Sequence, residues 1–139
     1  MPQKEISVII DTNLWISFLI NKNFSILDQL IRKGRVKILF DSELKLEIIS
    51  VATRPKFKNI ISNEQLFKLI DLIDVYGEII SVSTKINECR DVKDNFLLSL
   101  AVDGNAHILI TGDNDLLVLK NIKSTRILKM AEFIEMMKK

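Results

Sequence analysis

Two short apolar runs, each ending in acids, restrict the folds open to this chain. Ser7-Val8-Ile9-Ile10 runs into Asp11-Thr12-Asn13, and His107-Ile108-Leu109-Ile110-Thr111 runs into Gly112-Asp113-Asn114-Asp115. Consecutive apolar residues leave no polar face, so a strand of this kind is covered on both sides, as in the middle of a parallel sheet. Leu14-Trp15-Ile16-Ser17-Phe18-Leu19-Ile20 is apolar enough to be a helix packing back onto that sheet. Asp11 then stands at the carboxyl end of a central strand, the edge at which open α/β sheets place their ligand crevices. Asp, Asn and Thr also cap helices well, and capping alone would account for Asp11 or Asn13.

The remaining elements follow the same alternation. Apolar positions 24, 27, 30 and 31 have helical spacing, and Gly34 follows as a stop. Residues 36–40 form a second strand. Asp41 and Ser42 offer a cap for a helix over 43–53, which Arg54-Pro55 ends. Asn63 opens a helix whose apolar face (Leu66, Phe67, Leu69, Ile70, Ile73) runs up to Gly77. The pattern then predicts a strand over 78–82, a loop over 83–93, a helix over 94–102 and the apolar strand 107–111. A short turn over 116–119, an edge strand over 125–128 and a closing helix over 131–137 complete the chain. Strands alternating with helices indicate βαβ units, hence an α/β fold with helices on both faces of a mostly parallel sheet, in one domain over 1–139.

Composition removes several classes of function. A net charge of +2 gives no global basic field, so a nucleic acid would have to be held by local patches and a metal. One cysteine, Cys89, allows no internal disulfide and fits a reducing compartment. Only a few apolar residues separate Lys4 and Glu5 from Asp11, so no leader is expected, and no charge-free run reaches bilayer-spanning length. A soluble, cytoplasmic protein with no membrane partner is the expectation.

The acids carry the chemistry. In a parallel sheet, strand carboxyl ends and the amino ends of the following helices share one edge. Asp11, Asp94 and Asp113 therefore project into one crevice, and the helix after the second strand can swing Glu47 toward it. Carboxylates this close repel one another unless a cation sits between them. Oxygen donors without His or Cys select a hard ion such as Mg²⁺ or Mn²⁺, whose usual task is to activate water and stabilise in-line phosphoryl displacement. The sole histidine, His107, begins a buried strand and is better read as structural, which leaves Ser-His-Asp and Cys-His schemes without a base. An aspartyl-phosphate phosphatase would want a second Asp where Asn13 stands. A receiver-type domain would want a lysine ending a later strand, and Lys120 is poorly placed for it.

The segments Val8 to Asn13, Arg54-Pro55-Lys56-Phe57, Cys89-Arg90-Asp91-Val92-Lys93-Asp94-Asn95 and Thr111 to Leu117 together resemble the PIN domain, in order and spacing over essentially the whole chain. The similarity is closest to its bacterial and archaeal toxin components of toxin–antitoxin pairs. It implies a three-layer α/β/α fold and a Mg²⁺- or Mn²⁺-dependent endoribonuclease. RNA would be the substrate and an antitoxin protein a partner, with self-association left open. A catalytically silent PIN-like module that binds RNA or protein is the alternative. Position by position, the family's four acids fall on Asp11, Glu47, Asp94 and Asp113, with Asp115 as a further ligand. Asp91 matches the first acid of its DxxD pattern, as ligand or as orienter. Thr12, Asn13, Asn95 and Thr111 match polar positions that hydrogen-bond the carboxylates or the metal's waters. The family usually has Ser where Asp41 stands, so Asp41 is either a stronger cap or a change in pocket charge. Arg54, Lys56 and Lys58 are candidates for phosphate contact, against an ordinary solvated loop. Trp15, Phe18 and Leu19 are a core face before they are a base-stacking platform, and Lys138 and Lys139 a solvated end.

Overall fold

The computed structural model describes residues 5–138. Residues 1–4 of the expected domain, and Lys139 of the expected solvated end, lie outside the described residues. Six strands and seven helices alternate as Ile6–Ile10 (β1), Thr12–Asn21 (α1), Ser25–Arg32 (α2), Val36–Phe40 (β2), Ser42–Ala52 (α3), Asn63–Tyr76 (α4) and Glu78–Ile79 (β3). Val92–Asp103 (α5), Ile108–Ile110 (β4), Asn114–Leu117 (α6), Asn121–Ile122 (β5), Thr125–Leu128 (β6) and Met130–Met137 (α7) follow. One sheet forms in the order β3-β2-β1-β4-β6-β5, parallel except for the β5–β6 pair. Right-handed crossovers carry α1 to α4 over one face; α5, returning past β1 to β4, covers the other. The result is the three-layer α/β/α arrangement.

The apolar runs sit where both faces are covered. Val8, Ile9, Ile10, Leu109 and Ile110 are fully buried, and β1 and β4 pair in register from Val8–Ile108 to Ile10–Ile110. The order of connections reverses between β1 and β4, which opens a crevice beyond their carboxyl ends. Trp15 is buried against the Phe18 and Phe24 rings, at 6.0 and 5.8 Å between centroids, so it is core and offers no stacking face. His107 lies at the opposite edge, where its Nδ1 accepts from Ser7 N at 2.9 Å and locks the amino ends of β1 and β4 together.

Two elements differ from the expected pattern. The strand expected over 78–82 pairs only at Glu78 and Ile79. The last bond to the sheet is Ile80 N to Phe40 O at 2.8 Å, and beyond it Asp103, at the end of α5, accepts from Ser83 N and Thr84 N at 2.6 and 2.9 Å, and from the Thr84 hydroxyl. Strand β5 is additional, and it makes a hairpin with the expected edge strand 125–128. It turns at Lys123, whose φ of 52° is left-handed, without the Asn-Gly or Asp-Gly pair that marks such turns in a sequence. Asp41 proves to be the cap of α3: buried, it accepts from Leu44 N at 2.9 Å.

Gly77 ends α4 where a side chain has no room. A Cβ there would overlap the Ile73 carbonyl oxygen and come within 2.7 Å of the Phe40 ring, whereas one at Gly112 would meet nothing. Gly77→Ala is therefore expected to lower stability in urea unfolding by about 1–3 kcal/mol, in the range of overpacked sites. Gly112→Ala should change it by less than about 0.5 kcal/mol, the usual limit for open surface positions.

Candidate active site

Backbone hydrogen bonds that continue the sheet beyond its strands set the site's frame. Asp11 N donates to Ile110 O at 3.1 Å and Thr111 N to Leu128 O at 3.0 Å, so the residues after β1 and β4 are held as firmly as the strands. Asp11 then caps α1, its Oδ1 accepting from Asn13 N at 2.9 Å. The buried Thr111 hydroxyl donates to Asp11 Oδ2 at 2.7 Å and accepts from Asp113 N at 3.0 Å, tying the two acidic loops together. Asp113 caps α6 through Oδ1 and Asp115 N, and Asp91 caps α5 through Oδ1 and Lys93 N, each at 2.9 Å. Capping and a place in the crevice are thus not alternatives for Asp11; one side chain does both.

A cleft of about 190 Å³ results, lined by Asp11, Thr12, Asn13, Glu47, Asp91, Lys93, Asp94 and Asp113 over an apolar floor of Leu44, Phe96 and Leu97. Glu47 reaches it because Leu44, Ile48 and Ala52 of α3 are buried and Glu47 borders that face, while Glu43 stays exposed in the first turn. Asp115 lies on the rim; one oxygen from each of Asp94, Asp113 and Asp115 falls within 4.8 Å of the others, while Arg90 also pairs with Asp115 at 3.3 Å. Arg54 and Lys56 follow the carboxyl end of α3 around the 3₁₀ turn Pro55–Phe57, and neither lines the cleft. Asn95 does not turn to the carboxylates as the resemblance implied. Its side chain accepts from Cys89 N at 2.7 Å and donates to Cys89 O at 2.8 Å, and these strong backbone partners fix the loop before α5. Lys93, which stands between Asp91 and Asp94, brings a cation to the cleft that the pattern of acids does not signal.

Asp94 is the anomalous member. It is 5% exposed, and its Oδ2 is buried without a hydrogen-bond partner among the described residues. Burial raises its pKa first, then a proton shared with Asp113, then the charges of Asp113, Asp91 and Asp11; together they push it up to about 7. Burial, and then the charges of Asp94, Asp115 and Asp113, likewise raise the Cys89 thiol, which keeps it a poor nucleophile.

An orphaned carboxylate oxygen among all-oxygen donors fits a hard divalent cation, the partner that both satisfies the atom and screens the repulsion. Residues 7–115 match the PIN domain. The chain is also 37% identical over 125 residues to an uncharacterized protein of the archaeon Methanocaldococcus jannaschii, covering 87% of this chain and 79% of that one. The chain belongs to the PIN domain family, whose members are generally nucleases.

The pH dependence of the metal-free protein follows from Asp94. Its folded pKa lies above the unfolded value, so its contribution is full below about pH 4 and is lost as pH rises to about 7. At pH 8 ionised Asp94 is expected to destabilise the metal-free fold, because a buried carboxylate beside other acids must then carry its charge. Asp94→Asn should therefore melt higher than wild type at pH 8 in EDTA, with the difference shrinking toward pH 4. Equal or lower melting of the variant at pH 8 would contradict the assignment.

Proposed function

We propose that the chain is an endoribonuclease that hydrolyses RNA phosphodiester bonds with Mg²⁺ or Mn²⁺ held by Asp11, Glu47, Asp94 and Asp113, and with Asp115 as a further oxygen donor at the rim. The observation that carries this reading is the buried Oδ2 of Asp94, which meets no hydrogen-bond donor among the described residues and stands with Asp11, Glu47, Asp91 and Asp113 in one cleft. Leaving such an oxygen without a donor costs more than a typical hydrogen bond contributes, so a fold that keeps it has a use for it. When bound, the ion supplies a more acidic water and positive charge against the scissile phosphate.

The chain's own groups prepare the rest. Thr111 and the Asn13 amide hold both oxygens of Asp11, and the Asp115 amide holds Asp113, so these carboxylates do not have to reorient when substrate arrives. Leu44, Phe96 and Leu97 make the floor apolar, which strengthens every charge interaction above it. Attack by water on phosphorus does not use a 2′-hydroxyl, so the choice of RNA over DNA rests on the family resemblance. The likeness to toxin components likewise supports an antitoxin protein as partner. Among the described residues no helix is long and apolar enough to cross a membrane.

Mixed single-stranded RNA incubated with the protein should be cut with Mn²⁺ and remain intact with EDTA. Asp11→Asn should abolish cutting without loss of fold by circular dichroism. Glu47→Gln should cost orders of magnitude, and Glu43→Gln should stay within a few-fold, because Glu43 is an exposed helix-start charge worth about 0.3–1 kcal/mol of stability. RNA that is bound but never cut at any metal concentration would favour the silent binding module.

A further inference from the structure

The acids at the centre of the cleft and those at its flanks differ in their counterions. Among the described residues, Asp11, Asp94 and Asp113 have no cationic side chain within ion-pair distance. Glu47 lies 3.7 Å from Lys93 Nζ, and Asp115 lies 3.3 Å from the Arg90 guanidinium. Glu47 and Asp115 stand on helices that follow β2 and β4, the two strands flanking β1. Both cations nevertheless come from the single stretch Arg90-Asp91-Val92-Lys93, so one segment straddles the cluster.

The roots of these side chains are fixed and their heads are loose. Lys93 N is held by Asp91, and the Cys89 backbone beside Arg90 is held by Asn95. The side chains themselves are 67% and 90% exposed, and the Lys93–Glu47 contact is too long for a hydrogen bond. Exposed pairs of this kind contribute little to stability, so a structural role does not account for them. Charge balance supplies another. Five carboxylates and one ammonium line the cleft. A single divalent cation still leaves it negative, and the net charge of +2 provides no long-range attraction for a polyanion. A phosphodiester approaching this cleft needs cations at the rim.

We propose that Lys93 and Arg90 are substrate-positioning residues. They form a two-cation clamp that rests on Glu47 and Asp115 in the metal-free protein and turns to RNA phosphate oxygens once a divalent cation draws on those carboxylates. This inference rests on the metal-nuclease reading above. It has two consequences of opposite sign. Loss of Lys93 releases Glu47 and removes a positive charge from beside the ion, which tightens metal binding. The same loss removes a phosphate contact, which weakens RNA. A lysine that only pairs with Glu47 would do the first and not the second.

The test is calorimetric titration of the metal-free protein with MnCl₂, together with steady-state cleavage of a mixed-sequence single-stranded RNA in Mn²⁺ across a range of salt. Lys93→Gln should bind Mn²⁺ about three- to tenfold tighter, from the loss of a nearby like charge. Its KM should rise about fivefold or more with kcat within about threefold, and its salt dependence of log kcat/KM should flatten by roughly 0.7 for the lost phosphate contact. Arg90→Gln should raise KM and flatten the salt slope in the same way. Lys93→Arg should keep KM within about twofold of wild type, since the charge remains. Lys68→Gln, which breaks an exposed pair on α4 away from the cleft, serves as the control. If the Lys93→Gln protein binds Mn²⁺ no tighter and keeps wild-type KM and salt slope, the clamp is overturned while Mn²⁺-dependent wild-type cleavage leaves the nuclease reading intact. A wild-type protein that takes up no Mn²⁺ overturns both.

Discussion

Mutual repulsion among carboxylates gathered at one edge of a sheet is the constraint around which this molecule is arranged. The parallel topology makes the gathering unavoidable, because every strand of the parallel part ends, and every following helix begins, at the same edge. It also provides the offset. Asp11, Asp41, Asp91 and Asp113 each cap the helix they precede, so four of the acids are bound to helix amino termini and their unsatisfied N–H groups. A cap of this kind contributes about 0.5–2 kcal/mol. Negative charge is thereby held in place by the backbone rather than by neighbouring cations.

Asp94 falls outside this scheme. It lies within the first turn of α5 instead of ahead of it, with Asp91 already serving as the cap, and its buried Oδ2 meets no donor among the described residues. The same side chain therefore concentrates the unfavourable energy of the cleft and gives it the capacity to take up a proton or a cation. In the proposed metal-bound state the two would compete for one oxygen-rich pocket, the proton favoured in acid and the divalent ion as Asp94 ionises. This is how a domain with nearly balanced charge keeps a strongly polar centre above a core of Val8, Ile9, Ile10, Leu109 and Ile110.

Much of this architecture was legible in the sequence because the decisive elements are extreme. β4 and the inner half of β1, Val8 to Ile10, are runs with no polar residue inside them, and the acids that follow in the chain stand together in the cleft. That Glu47 borders the cleft while Glu43 does not could be read from their angles to the buried face of α3. Other features carried no local signal. The β5–β6 hairpin turns on a lysine with positive φ, a conformation that lysine does not advertise. The anchoring of residues 83–84 depends on Asp103, some twenty residues away, and the pairing of Asn95 with Cys89 on a loop whose path no periodicity describes. Lys93 and Arg90 were visible as letters, but their relation to Glu47 and Asp115 exists only in three dimensions.

The ionisation of Asp94 tests this account most directly. Carbon-13 NMR of the aspartate carboxyl carbons, assigned through Asp94→Asn, follows that group through a pH titration with and without Mg²⁺. The account predicts a midpoint near 7 in the metal-free protein. With saturating Mg²⁺ the midpoint should fall well below that, as the ion displaces the proton. A midpoint near the ordinary carboxylate value of about 4, unmoved by Mg²⁺, would contradict it.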